Sequence, residues 1–406
     1  MNTTPVGNRL HIGIFGKRNV GKSSLINALT GQRIAIVSDV AGTTTDPVGK
    51  AMEISGIGPV YMYDTAGLDD TGELGLLRVE RTRQIIRKIN LALLVTTAEA
   101  FDAEDEALIL EFLGQGRAVL VIFNKSDALP PEAAQIQKVA ALGVPFAAVS
   151  CRTGDYIDAA KKLIVEAGST LFVERETIIG DLISHGDIVL LVVPIDLGAP
   201  KGRLILPQVQ VLRDILDNDA VAVTAKEREI EYALRGLNRK PALVICDSQV
   251  VLKVSGDLPA DVKFTTFSIL FSRQKGDLAE FVRGVRRVDS LKDGDKVLIL
   301  EACTHHPMPD DIGRVKLPRW IRSYTGKNII FETNAGPLVD KDISQYDLVI
   351  SCGGCMINRQ EMLARIGDAQ SRNVPITNYG IAISFVHGVL KRALSPFPYE
   401  QSLLEV

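Results

Sequence analysis

The chain has 406 residues, 46% of them hydrophobic and 23% charged, with a formal net charge of −3 at pH 7. At about 150 residues per domain this is material for two or three soluble domains. The near-neutral charge argues against a polybasic footprint for nucleic acid or an anionic membrane, and no apolar run, Ile188 to Ile195 included, approaches the ~20 residues that span a bilayer.

Met1 to Arg9 is polar, without the apolar stretch of a secretory signal, so a cytoplasmic location is expected. Five cysteines do not make a disulfide framework in a reducing compartment. Three of the five lie in the last quarter of the chain, which points to a metal.

The first 170 residues alternate strand and helix. Leu10 to Phe15 is an apolar strand run that ends in a Gly-rich loop, and Lys22 to Leu29 reads as a helix. Val60 to Tyr63, Leu91 to Thr96, Val119 to Phe123 and Pro145 to Val149 are further strand runs. Strands apolar along their whole length are buried on both faces, as in a parallel sheet. A second stretch has strand candidates at Asp187 to Val193, Ala220 to Val223 and Ala242 to Cys246, with a helical pattern over Lys226 to Leu237. A third has them at Lys296 to Leu300, Asn328 to Phe331, Asp347 to Ser351 and Pro375 to Asn378. The expected fold class is therefore α/β: a doubly wound P-loop domain over residues 1–172, then two smaller α/β domains over 173–265 and 266–406. No internal repeat stands out in the sequence.

Gly16-Lys17-Arg18-Asn19-Val20-Gly21-Lys22-Ser23 fits G-x-x-x-x-G-K-[ST] between a strand and a helix, with Ser24 next in line. Backbone N–H groups of such a loop face phosphates. Lys22 is expected to reach the β- and γ-phosphates and Ser23 to bind Mg2+. Asp64-Thr65-Ala66-Gly67 follows a strand, with Asp64 placed to hold Mg2+ through water and the Gly67 N–H to meet the γ-phosphate. Asn124-Lys125-Ser126-Asp127 follows another strand. The Asp127 carboxylate can accept two N–H bonds from guanine that adenine does not offer. Ser150-Cys151 stands where a backbone N–H reads the guanine oxygen. The four motifs in this order imply GTP.

With Gly42-Thr43-Thr44-Thr45-Asp46, these motifs resemble the Era/TrmE branch of GTPases. The resemblance implies that Thr44 is a switch magnesium ligand and that Asn19 helps hold a K+ ion acting in place of an arginine finger. Thr45 stands where the family often has Arg. Leu68 stands where other GTPases put a catalytic Gln, which leaves Glu73 as a candidate for positioning water.

Near the C-terminus, Cys303-Thr304-His305-His306 and Cys352-Gly353-Gly354-Cys355 each follow a strand run. Three thiolates and one weaker ligand suit a [4Fe–4S] cluster with an exchangeable iron. The same set describes a structural zinc site, and Cys352 with Cys355 alone could be a redox dithiol. Cys151 and Cys246 read as packing residues, and His11, His185 and His387 receive no role. The whole arrangement resembles the [FeFe]-hydrogenase maturation GTPases. That resemblance implies a homodimeric scaffold that binds the cluster through Cys303, Cys352 and Cys355. It would accept a transient diiron subcluster made with radical-SAM maturases and deliver it to apo [FeFe]-hydrogenase, without a nucleic-acid or membrane partner. His305 matches the family's C-x-H, whereas Ser351 replaces a histidine common before the C-x-x-C. A zinc-stabilised regulatory GTPase and a GTPase of ribosome assembly or tRNA modification are the alternatives.

Overall fold

The computed structural model describes residues 4–30, 49–65, 84–173, 177–194, 204–302, 311–336, 339 and 341–405. The chain divides into two compact units, Met1–Arg175 and Glu176–Val406.

The first unit is a six-stranded sheet in the order β2-β3-β1-β4-β5-β6. Its strands are β1 (Leu10–Phe15), β2 (Gly49–Ile54), β3 (Gly58–Asp64), β4 (Leu91–Thr96), β5 (Ala118–Phe123) and β6 (Phe146–Ala148). All pairings are parallel except β2 with β3. Alternate residues of each central strand feed opposite faces. Ile12, Ile14, Leu93 and Ile122 enter one core, while Phe15, Leu94, Val121 and Phe123 enter the other. That division is the doubly wound arrangement expected from all-apolar strands. The edge strand β2 escaped the sequence reading because it is half exposed and lacks an apolar run. His11 is a satisfied core residue, with Nδ1 2.9 Å from the Tyr63 hydroxyl and Nε2 2.9 Å from the Val6 carbonyl oxygen.

The second unit holds two parallel four-stranded sheets. One contains β7 (Ile188–Val192), β8 (Val221–Ala225), β9 (Leu243–Cys246) and β10 (Phe264–Thr266), in the order β10-β9-β7-β8. The other contains β11 (Lys296–Glu301), β12 (Ile330–Ala335), β13 (Leu348–Ser351) and β14 (Ile376–Asn378), in the order β12-β11-β13-β14. Both are wound second-first-third-fourth, so the unit repeats one topology twice. The sequence reading found no repeat in the chain, and the repetition is one of strand order. The match survives at the last strand and the helix that follows it. Val262-Lys263-Phe264-Thr265-Thr266-Phe267-Ser268-Ile269 corresponds to Val374-Pro375-Ile376-Thr377-Asn378-Tyr379-Gly380-Ile381. The Thr266 hydroxyl accepts the Ile269 N–H at 3.2 Å, and the Asn378 side chain accepts the Ile381 N–H at 2.9 Å, so both helices carry the same N-cap. Thr265 and Thr377 bury equivalent hydroxyls that find no partner among the described residues. Leu-Pro opens both helix Leu206–Asp217 and helix Leu317–Thr325, with proline in the first turn where no N–H partner is needed. The repeat escapes a linear reading because the loops differ in length and the correspondence rests on buried apolar positions that accept many residues.

The two halves share one hydrophobic core. Residue 265, the expected boundary, lies inside β10. Helix Phe267–Lys275 of the first half packs on helix Tyr379–Val386 of the second. A Cβ on Gly380 would collide with Ser268 Cβ and stand 2.9 Å from Ser248 Oγ, and the space beside Gly353 is bounded by the same Ser268. Other differences are local. The helix expected over Lys226 to Leu237 is only Ile230–Gly236, preceded by a turn in which the Glu229 N–H meets the Lys226 carbonyl.

The contact at Gly380 leaves no room for a methyl group. Gly380→Ala is expected to destabilise the second unit by about 1–3 kcal/mol, the usual cost of overpacking, as measured by denaturant unfolding. Gly367→Ala, where a Cβ meets open space, is the control.

Candidate functional site

The first unit carries a cleft of about 700 Å³ at the carboxyl edge of its sheet. Asn19, Gly21, Lys22, Ser23 and Ser24 line one side, and Asn124, Lys125, Asp127 and Cys151 the other. The loop after β1 is shaped by close approaches. Gly16 has φ +138° and a Cβ there would collide with the Val95 carbonyl oxygen; Gly21 has φ +97° and a Cβ would collide with Asn124 Nδ2. Asn19 adopts φ +61°, a left-handed conformation that asparagine tolerates better than most residues. The Lys22 ammonium donates to the Gly16 and Lys17 carbonyls at 2.7 and 2.8 Å, folded onto its own loop.

Asn124 joins the two sides. Only 3% exposed, it donates to the Val20 carbonyl at 2.8 Å and accepts the Cys151 N–H at 3.1 Å. Lys125 follows at φ +60°. The Asp127 carboxylate accepts from Arg152 Nε at 2.9 Å. The Ser150 hydroxyl, and then Arg152, hold that carboxyl below the usual range. Arg152, which follows Cys151, received no role from the sequence; its ion pair depends on the loop after β6 returning to the loop after β5. Burial drives the Cys151 thiol up to about 11, in keeping with a packing residue. Ser23 Oγ lies 3.5 Å from Asp64 Oδ2, the two groups expected at magnesium. Burial raises the Asp64 carboxyl, against the Lys22 charge and the Ser23 hydrogen bond. Thr44, Gly67, Leu68 and Glu73 lie outside the described residues.

The second unit brings together part of the expected thiolate set. Cys352 and Cys355 sit on the loop that leaves β13, both partly buried. Gly354 has φ +63°, and a Cβ there would stand 2.6 Å from Met362 Cε. The N–H of Ala302, the residue before Cys303 in sequence, points to Cys352 Sγ at 3.2 Å. Burial and then the Cys352 sulfur raise the Cys355 thiol, while the Lys275 charge acts the other way. Glu301, 2% exposed, is held by Arg314 through contacts of 2.7 and 3.2 Å. Tyr379 reaches the same region. Its hydroxyl is inaccessible, has no partner among the described residues and is pushed well up, first by burial and then by Cys352 and Glu301. Cys303, His305 and His306 lie outside the described residues, among which no group of three or more metal-binding side chains is assembled. The donors present fit a thiolate-bound group: two cysteines on a tight glycine turn, a backbone N–H on one sulfur, and an orphaned hydroxyl nearby. His387 lies edge-on to Trp320, with centroids 5.1 Å apart.

Residues 11–125 match the profile of the 50S ribosome-binding GTPase family. The tRNA modification GTPase MnmE of Chromobacterium violaceum is 43% identical over 159 residues, 39% of this chain and 34% of that protein. GTPase Der of Wolinella succinogenes is 36% identical over 170 residues, 39% of this chain and 35% of that protein. The chain thus spans about a third of the length of these curated relatives. The solved G domain of the T. maritima FeoB iron transporter shares 24% identity, with 39% of this chain and 99% of that one covered and a TM-score of 0.32. Fold, cleft and profile together define a P-loop GTPase with a duplicated α/β unit attached. That unit matches the hydrogen maturase F dimerization domain over residues 178–276 and the hydrogen maturase F tetramerization domain over 279–396. Together these cover more than half of the chain, which belongs to the hydrogen maturase F family.

Asn124→Ala would leave the Val20 carbonyl and the Cys151 N–H buried without their partner. A loss of about 1–3 kcal/mol is expected, read as a lower denaturation midpoint of the first unit together with weaker binding of a fluorescent guanine nucleotide.

Proposed function

We propose that the chain is a GTP-hydrolysing hydrogenase-maturation factor whose second unit binds a [4Fe–4S] cluster and carries a diiron unit to apo [FeFe]-hydrogenase. The observation that carries this reading is the Cys352–Cys355 turn at the strand edge of a hydrogen maturase F domain, with the Ala302 N–H on Cys352 Sγ. Cys352 and Cys355 would hold the cluster together with Cys303, and His305 would stand by as the weaker fourth ligand. When bound, the cluster supplies an iron with an exchangeable position, and the diiron unit is cargo that radical-SAM maturases help to make.

In the first unit, Lys22 would leave the Gly16 and Lys17 carbonyls for the phosphates. Ser23 and Asp64 would hold Mg2+ with Thr44, and the Gly67 N–H would meet the γ-phosphate. Asp127 would exchange Arg152 for the guanine edge. Asn19 would help hold K+, since Leu68 stands where a catalytic glutamine is absent. Nucleotide state would modulate partner exchange in the manner of switch GTPases.

Self-association through the second unit is supported by the two matching domain descriptions and by the exposed apolar side chains Leu216 and Val221 beside and on the edge strand β8. No helix of the described residues is long and apolar enough to cross a membrane, and we place the protein in the cytoplasm.

Two outcomes test this reading. Cys352→Ala and Cys355→Ala should each lose most iron and sulfide after anaerobic reconstitution while GTP hydrolysis persists, and Lys22→Ala should do the reverse. Stoichiometric zinc that iron and sulfide do not displace would favour a regulatory GTPase instead. Hydrolysis should be faster in KCl than in NaCl at equal ionic strength, because developing charge on the phosphates needs a cation where no arginine finger is supplied. Equal rates would remove the potassium role of Asn19.

A further inference from the structure

The loop after β13 is held from beneath by the other half of the duplication. The carbonyl oxygens of Gly354, Cys355 and Ile357 converge on the Lys275 ammonium at 3.0, 3.4 and 3.0 Å. Lys275 ends helix Phe267–Lys275 of the first half and is 5% exposed. An ammonium has three N–H donors, and three carbonyl oxygens are the complement that lets it stay buried. The lacing is reciprocal: Arg359, which opens the helix after the loop, donates to the Gln274 and Gly276 carbonyls at 2.7 and 3.3 Å, on either side of Lys275.

The geometry has a consequence at the sulfur. In a trans peptide the C=O and N–H point to opposite sides. Gly354 and Cys355 turn their oxygens to Lys275, so the N–H groups of the same two peptides, those of Cys355 and Met356, point away from the ammonium. The ammonium therefore fixes the orientation of the two peptides that flank the Cys355 side chain.

The duplicated half lacks this support. Lys275 corresponds to His387, which lies against Trp320 instead. The loop equivalent to Cys352–Cys355 begins at Asp247-Ser248 and is capped by its own Asp247, which accepts the Gln249 N–H at 3.0 Å.

We propose that Lys275 is a positioning residue for the thiolate loop, so that the first half of the duplication completes a metal site whose cysteines all belong to the second. The proposal rests on the reading of that loop as a cluster site, and its test separates the two.

The full-length protein is compared with Lys275→Met and with Lys275→Gln, which keeps donors but no charge. In metal-free protein, alkylation of Cys355 is followed by mass spectrometry against Cys246, which is fully buried in β9 and reacts only if the unit unfolds. At a pH that ionises the thiol in every variant, so that the lost charge does not itself slow the reaction, Lys275→Met should alkylate at Cys355 about tenfold faster because the released loop exposes the sulfur, with Cys246 still protected. Lys275→Gln should fall between the two. After reconstitution, both variants should show a lower cluster midpoint potential, because a positive charge that favours the reduced form is gone. Unchanged Cys355 reactivity with an unchanged potential overturns the proposal. Reaction of Cys246 in both variants also overturns it, by making Lys275 a general core residue. If the native protein takes up no iron, the cluster reading fails, and the alkylation rates alone decide whether Lys275 holds the loop.

Discussion

A parallel strand buried on both faces needs a crossover on one face or the other, so the strands of such a sheet all finish at one edge and their loops gather there. Among the described residues, the groups that line the nucleotide cleft and carry the cysteine loop stand at such an edge. The P-loop leaves β1, Asp64 ends β3, Asn124 follows β5 and Cys151 follows β6. In the second unit Ala302 follows β11 and Cys352 follows β13. Because the edge crowds these loops together, backbone conformation is constrained as tightly as side-chain identity. Gly16 and Gly21 are glycines because the Val95 carbonyl and the Asn124 amide occupy the space a Cβ would need.

The second unit shows the same constraint applied twice with different results. Both halves end in a capped helix after a strand of matching sequence, and the two helices meet where Ser268 faces Gly380. One edge became a self-capped loop with Asp247 and Ser248. The other acquired Cys352, Gly353 and Cys355, together with a tyrosine hydroxyl where the first half has Phe267. A shared core makes this division of labour possible. One half supplies the Cys352–Cys355 loop, and the other supplies the packing surface and the buried ammonium beneath it.

The nucleotide motifs were legible because each is a short run whose function depends on local backbone shape, and residues of the P-loop, the Asn124-to-Asp127 motif and Cys151 line one cleft. Most strands were legible because an unbroken apolar run of four to six residues between polar turns has few other uses. The edge strand β2 was not, being half exposed and paired antiparallel. Nor was the short β10, which could not be distinguished from the start of the apolar helix that continues from it.

By itself the sequence determined the α/β class, the P-loop, the guanine motif and the presence of clustered cysteines, since each is encoded by neighbouring residues at fixed spacing. Only the tertiary structure decided what depends on residues far apart. The Asn124 bridge spans 104 positions to Val20. The pairing of Arg152 with Asp127 requires two loops to meet. The duplication lies in strand order, and Lys275 reaches the cysteine loop across 79 positions to Gly354. The reason is physical: a buried lysine and a run of carbonyls leave no local pattern, and their complementarity exists only once packing has excluded water from both.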